Sequence, residues 1–522
     1  MDRTLSRIAP ASTTPDPQDD VFSVEHLKDD LKARSIRSGS ATMAGQFVKF
    51  VLHTGSVMIL ARLLTKEDFG VVGMVLAVTN FIMMFKDMGL SMATIQRPQI
   101  NQRQISTLFW INAAIGLALA LLTVALAPVV AWFYGEPRLT AVTMLLGAGF
   151  IFSGLTIQHQ ALLKRNMRFG AVATIEVVAM LCSVIVAVVT AWRGGGYWSL
   201  ALMHLTMGAI ICAGVWIALR WRPGPPRRDA GARAMLGFGK NITAFHIVNY
   251  FARNADKVLI GRFCGAVTLG LYGRAYGLLM LPISQIRGPL TSVATPALSR
   301  LQNDAARYRK YYTKLVLLLS FMSMPVTVLL AVCAEDVIAV VLGDKWLQAA
   351  SIFQVLALTA FIQPVSTTTG TVMLSMGQSK RFLALGLFNS AVIVASFGVG
   401  IRWGAVGVAL AYATATYVLL IPSLWYSYRE TPVMVRDFFK AIIRSAVASI
   451  VMGTCVMLGR RLLAIESNLS SLVTCLFVGL LGYLLTWIVM PTGMSTLREI
   501  RAYADLMRHK GQTRRRWGRT KE

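Results

Sequence analysis

Charge is scarce in this 522-residue chain. Only 15% of its residues are Asp, Glu, Lys or Arg, against about 25% in ordinary soluble domains. A soluble fold would have to bury a sequence that is 55% apolar, in a core larger than single domains usually build. Acids are scarcer still: 24, against 52 Lys and Arg, for a net charge of +28. Such a balance in a soluble protein suggests nucleic acid, but the basic residues sit between long apolar runs, so nucleic acid is not read as a partner. Cysteine is sparse as well. Cys182, Cys212, Cys264, Cys333, Cys455 and Cys475 form no CxxC or CxxH pair and nearly all lie inside apolar runs. They read as small buried hydrophobes, which argues against a disulfide framework or a metal site. The first 38 residues mix Pro, Asp, Lys and Arg without an apolar core, so no cleavable signal peptide is visible. Enzyme signatures are missing too: there is no phosphate-loop GxxxxGK[ST], no HExxH and no GxSxG. Gly194, Gly195 and Gly196 follow no strand and read as a turn. The chain is therefore not read as an enzyme, no cofactor is expected, and energy from ATP hydrolysis has no element to supply it.

What is present is a series of apolar blocks of about 20 residues, the length that crosses a bilayer core of about 30 Å. They lie at about 41–61, 70–92, 107–133, 139–162, 171–192 and 196–220, then 236–262, 269–291, 313–334, 347–376, 381–401 and 404–428, and finally 438–461 and 469–490. The fold class is thus an all-α polytopic membrane protein with about fourteen transmembrane helices. Lys and Arg mark one side of every crossing. Arg97 and Arg103, Lys164 to Arg168, Arg220 to Arg233, Arg300 to Lys310, Lys380 and Arg381, and Arg429 and Arg436 alternate with loops such as Lys66-Glu67-Asp68 and Glu136-Pro137-Arg138. The excess of positive charge places both termini in the cytoplasm.

Two stretches echo each other at an offset of 200. Ile59-Leu60-Ala61-Arg62-Leu63 with Phe69-Gly70-Val71-Val72-Gly73 returns as Leu259-Ile260-Gly261-Arg262-Phe263 with Leu269-Gly270-Leu271-Tyr272-Gly273. Six is an even number of spans, so both copies enter the membrane in the same direction, a parallel repeat of the kind found in transporters. The expected organisation is a cytoplasmic tail over 1–40, a six-helix bundle over 41–220 and a basic linker over 221–235. A second six-helix bundle follows over 236–428, then two extra C-terminal helices over 429–490 and a basic tail over 491–522.

Polar residues within the spans carry the functional signal. In the seventh span His246, Asn249, Arg253 and Asp256 are spaced three, four and three apart and so share one helical face, with Lys257 beside them. The matching positions in the first span are Gln46, Lys49, His53 and Ser56. Charged residues facing lipid are costly, about 2.5–3.5 kcal/mol each on insertion scales. The two stripes are therefore expected to face a water-filled cavity. Asp256 has a structural alternative, pairing with Arg253 or Lys257 to hold helices together. Arg274 in the eighth span is a further candidate for the cavity. Glu176 reads as a proton or cation site or as the partner of a basic neighbour. Asp87, with Lys86, is a third candidate for ion coupling after Asp256 and Glu176, or an interfacial residue. His159 and His204 read as packing residues. Gln285, Gln354 and Gln363 read as neutral hydrogen-bonding groups.

These residues together resemble a known family. The run Ile59 to Gly70 is similar to the opening signature of bacterial polysaccharide transporters, the Wzx-type flippases of lipid-linked oligosaccharides within the multidrug/oligosaccharidyl-lipid/polysaccharide exporter superfamily. Ala93 to Arg97, Phe133 to Pro137, Arg253 to Arg262, Gly270 to Tyr276, Pro296 to Gln302, Leu342 to Trp346 and Gly407 to Tyr412 fit the same branch. The resemblance implies two facing six-helix bundles that alternate between inward-open and outward-open states. It implies a substrate of undecaprenyl diphosphate carrying a short oligosaccharide, moved from the cytoplasmic to the periplasmic leaflet of the bacterial inner membrane for exopolysaccharide, capsule or O-antigen synthesis. A polysaccharide polymerase and a chain-length regulator are the protein partners it suggests. The alternative is a multidrug or cation antiporter of the same superfamily. That reading wants acids in the cavity, whereas the stripes here are net basic.

Overall fold

The computed structural model describes the backbone of residues 31–87, 89–96, 100–226, 232–463, 468–491, 493, 494 and 498. It describes their side chains apart from those of 31–41, 93, 96, 232–253, 463 and 468. Among the described residues every regular element is helical, as an apolar chain in lipid requires: a helix satisfies its backbone polar groups within one segment. The helices are α1 (Leu31–Leu63), α2 (Lys66–Met83), α3 (Leu90–Gln96), α4 (Gln102–Tyr134), α5 (Leu139–Arg165), α6 (Phe169–Trp192), α7 (Trp198–Leu219), α8 (Ala232–Arg300), α9 (Ala305–Val332), α10 (Ala334–Val341), α11 (Ala349–Ser366), α12 (Thr368–Ser375), α13 (Ser379–Gly400), α14 (Gly404–Tyr428), α15 (Val435–Leu463) and α16 (Asn468–Val489).

Among the described residues, eleven helical stretches are long and apolar enough to cross a membrane. Two of these, Asn254–Arg300 and Ser379–Tyr428, are each twice the needed length and contain a break, at Gly265 in the first and around Gly404 in the second. The expected second span is divided. α2 opens on Lys66, Glu67 and Asp68, and it ends at Met83 before a turn leads into α3. Two breaks and one divided span account for the difference from fourteen.

The chain separates into two units. The first comprises the residues up to Thr65 together with Met74–Tyr250; the second comprises Lys66–Gly73 together with Phe251 onward. In the first, α4 packs along α5, α6 along α7, and α1 along α6. Asn101 starts α4 with a reciprocal capping box, accepting from the Gln104 backbone N–H while the Gln104 side chain accepts from the Asn101 N–H. In the loop that follows α4, Arg138 grips Glu136 through two hydrogen bonds of 2.7 and 2.8 Å, and these hold the carboxyl below its usual range. The chain leaving α7 is strapped to the start of α4. Trp221 donates to Gln102 Oε1, Trp110 donates to the Gly224 carbonyl, and the Gly224 N–H donates to Ser106.

In the second unit α9 packs against α11 and α15, α13 against α14, and α15 against α16. Its core runs through Tyr308, Tyr312, Leu319, Leu424 and Phe438. The buried Tyr312 hydroxyl meets Tyr428 at 2.5 Å and Thr368 at 2.7 Å, so three polar groups satisfy one another inside an apolar core.

Candidate functional site: polar residues within the spans

Within the first unit the stripe on α1 has a partner. Lys49 Nζ lies 2.5 Å from Glu176 Oε2, joining α1 to α6 across 127 residues of sequence. The other carboxylate oxygen accepts from Gln160 Nε2 on α5 at 3.5 Å. The pair is open to its surroundings, with the Lys49 and Glu176 side chains 20% and 26% exposed. Gln46 and His53, one turn to either side of Lys49, are exposed, whereas Ser56 is buried and donates to the His53 carbonyl. Phe47 and Val51 are exposed and apolar and lie roughly opposite Lys49 around the helix. The helix thus has one apolar and one polar open face.

In the second unit Asp256 is 5% exposed. Its carboxylate accepts from the Tyr272 hydroxyl at 2.8 Å and from the Lys257 backbone N–H at 2.8 Å. The Lys257 ammonium donates to Asn254 Oδ1 at 3.3 Å. In an unbroken helix the sixteen residues from Asp256 to Tyr272 would span about 24 Å. They meet because α8 breaks at Gly265, whose φ of 80° and ψ of 177° reverse the chain. Arg274, one turn beyond Gly270, lays its guanidinium over the Phe69 ring at 4.5 Å, and Phe69 in turn meets Trp346 edge-on.

The side chains of His246, Asn249 and Arg253 lie outside the described residues. Asp87 stands in the turn between α2 and α3, where it accepts from the Ser91 N–H and hydroxyl at 2.9 and 2.5 Å, so it starts α3 as a cap. His159 is buried and stacked on Trp216, with Nε2 3.2 Å from the Trp221 carbonyl, and His204 bonds within its own helix. Gln363 donates to Tyr412. Among the described residues no group of three His, Cys, Asp or Glu is placed to hold a metal. Sequence reasoning missed Gln160 and the bond between Tyr272 and Asp256. Gln160 is a lone amide in an apolar helix, a signal that could have found it; the Tyr272 bond depends on the break in α8.

The sequence model described as polysaccharide biosynthesis protein matches residues 59–351, more than half of the chain. The chain belongs to that family. It is 26% identical over 382 residues to the teichuronic acid biosynthesis protein TuaB of Bacillus subtilis (strain 168), covering 72% of this chain and 78% of that one. It is 24% identical over 416 residues to the lipopolysaccharide biosynthesis protein WzxC of Escherichia coli (strain K12), covering 77% and 84%. Among solved structures, the lipid II flippase MurJ in an inward closed conformation superposes with a TM-score of 0.70 at 13% identity, over 85% of this chain and 97% of that chain. That likeness places this member of the polysaccharide biosynthesis family in an all-helical, multi-pass membrane fold.

Proposed function

We propose that the chain is a flippase for oligosaccharide repeat units linked to undecaprenyl diphosphate. It moves them by alternating access from the cytoplasmic to the periplasmic leaflet of the bacterial inner membrane, with both termini in the cytoplasm, for exopolysaccharide, capsule or O-antigen synthesis. The observation that carries this reading is membership of the polysaccharide biosynthesis family across residues 59–351. The chemistry of the spans is in keeping with it. A diphosphate wants cationic donors, and Lys49 stands half-open on a polar helix face with Gln46, His53 and Gln160 around it. Neutral amides suit sugar hydroxyls, and the lipid tail can remain in the bilayer.

The reading is tested in a strain deleted for the gene. A lipid-linked oligosaccharide should accumulate on the cytoplasmic face, and its sugars identify the repeat unit. Complementation with Arg253→Ala should leave the protein at wild-type abundance in the membrane while surface polysaccharide disappears. A deletion strain with normal polymer, but with greater sensitivity to cationic drugs, would replace this reading with that of a cation antiporter.

A further inference from the structure

The basic stripe on α1 raises a problem of selection. Bilayers are rich in anionic lipids whose headgroup is a single phosphodiester, and an open lysine in a membrane cavity would attract them all. Lys49 is not open in that sense: its ammonium is held by Glu176 at 2.5 Å. We infer that Glu176 is an internal counter-anion that makes the Lys49 site selective for a diphosphate over a phosphodiester. This rests on the flippase reading above and specifies how its headgroup is recognised.

Three features of the geometry carry the inference. First, Glu176 bears one negative charge. A monoanionic phosphodiester that displaced it would exchange one such charge for another at the same ammonium and would gain nothing for its own desolvation. A diphosphate brings more charge and more acceptor oxygens to a group with three N–H donors. Second, the carboxylate has somewhere to stay. Gln160 Nε2 on α5 reaches its other oxygen at 3.5 Å, so Glu176 keeps a neutral donor when Lys49 turns away. Third, the pair is reachable. Both side chains are partly exposed, and Gln46 and His53 flank Lys49 on the same open face. A pair serving only to fasten α1 to α6 would be better placed out of reach, as Ser56 is one turn beyond His53.

The test uses the full-length chain, purified in detergent, and three probes: a polyprenyl diphosphate, the methyl ester of the polyprenyl monophosphate of equal length, which is a monoanionic phosphodiester, and phosphatidylglycerol. Binding is followed by native mass spectrometry. The wild type should prefer the diphosphate about tenfold over either monoanion. Glu176→Gln should tighten binding of both monoanions and shrink that preference to about twofold. Lys49→Gln should weaken the diphosphate most. Gln160→Ala leaves the ion pair in place, and it should weaken the diphosphate without changing the monoanions, which keeps the inference testable if Glu176→Gln fails to accumulate. A preference unchanged by Glu176→Gln, or by Gln160→Ala where that is the only variant obtained, overturns the inference and leaves the flippase reading standing. So does a wild type that binds the diphosphate and the phosphodiesters equally. A wild type that binds no polyprenyl lipid at all overturns both.

Discussion

Gly70 and Gly270, matched by the internal repeat at an offset of 200, press on one another's segments in the same way. A Cβ on Gly70 would lie 1.7 Å from the Ala266 carbonyl oxygen, and one on Gly270 would lie 2.0 Å from that of Lys66. Lys66 and Ala266 are themselves an offset of 200 apart, so the crossing has a local two-fold character built from both copies of the signature. Only a residue without a Cβ allows backbones to approach so closely.

The contrast with Gly73 and Gly273 makes this a prediction. A Cβ on Gly73 would make an ordinary 3.5 Å contact with the Leu269 side chain, and one on Gly273 would meet nothing within 4 Å. Gly70→Ala and Gly270→Ala should each destabilise the protein by about 1–3 kcal/mol, because the backbones must separate. Gly73→Ala and Gly273→Ala should be neutral or stabilising by up to about 1 kcal/mol through helix propensity. Thermal unfolding in detergent separates the two pairs. The double variant of Gly70 and Gly270 should lose less than the sum of the singles, since one separation relieves both clashes. A Gly70→Ala protein as stable as wild type would contradict the close crossing.

A second prediction concerns Asp256. With its carboxylate 5% exposed and bonded to the Tyr272 hydroxyl, Tyr272→Phe removes a donor from a buried charge. The expected loss is about 1–3 kcal/mol, seen as a lower unfolding temperature. Asp256→Asn keeps an acceptor for that hydroxyl and should cost less. If Asp256→Asn nevertheless ends polysaccharide export at normal abundance, Asp256 acts in transport as well as in holding α8 across its break.

The limits of the sequence can be read from these same residues. Crossings were legible because lipid demands long apolar helices, and the repeat was legible because Gly70 and Gly270 have no substitute at their crossing. The polar face of α1 was legible from spacing alone. Its partner was not: Glu176 lies 127 residues from Lys49, and spacing within one helix says nothing about which acid a fold brings near. The bond from Tyr272 to Asp256 was hidden for a different reason. It needs a reversal at Gly265, and a lone glycine inside an apolar run does not announce its φ. Asp87 was read as lying within a span, whereas α2 stops at Met83 and Asp87 serves the start of α3.

The third prediction tests how the last two helices are fastened. Arg460 near the end of α15 lies 3.0 Å from Asp336 Oδ2 on α10 and donates to the Val332 carbonyl at the end of α9 at 2.8 Å. Ser471 on α16 donates to the same Asp336 oxygen at 3.1 Å. One buried carboxylate thus ties α10, α15 and α16 together. Arg460→Met leaves Asp336, 5% exposed, without its counter-charge. Breaking a fully buried pair costs about 3–5 kcal/mol, and the partial exposure of Arg460 lowers the expectation here to about 2 kcal/mol. Ser471→Ala should cost about 1 kcal/mol. Adding Asp336→Asn to Arg460→Met should recover part of the loss, because a neutral amide no longer needs the guanidinium. Recovery in the double variant marks the buried charge as the source of the instability. Equal losses in the single and double variants would assign it instead to the lost packing of the arginine stem.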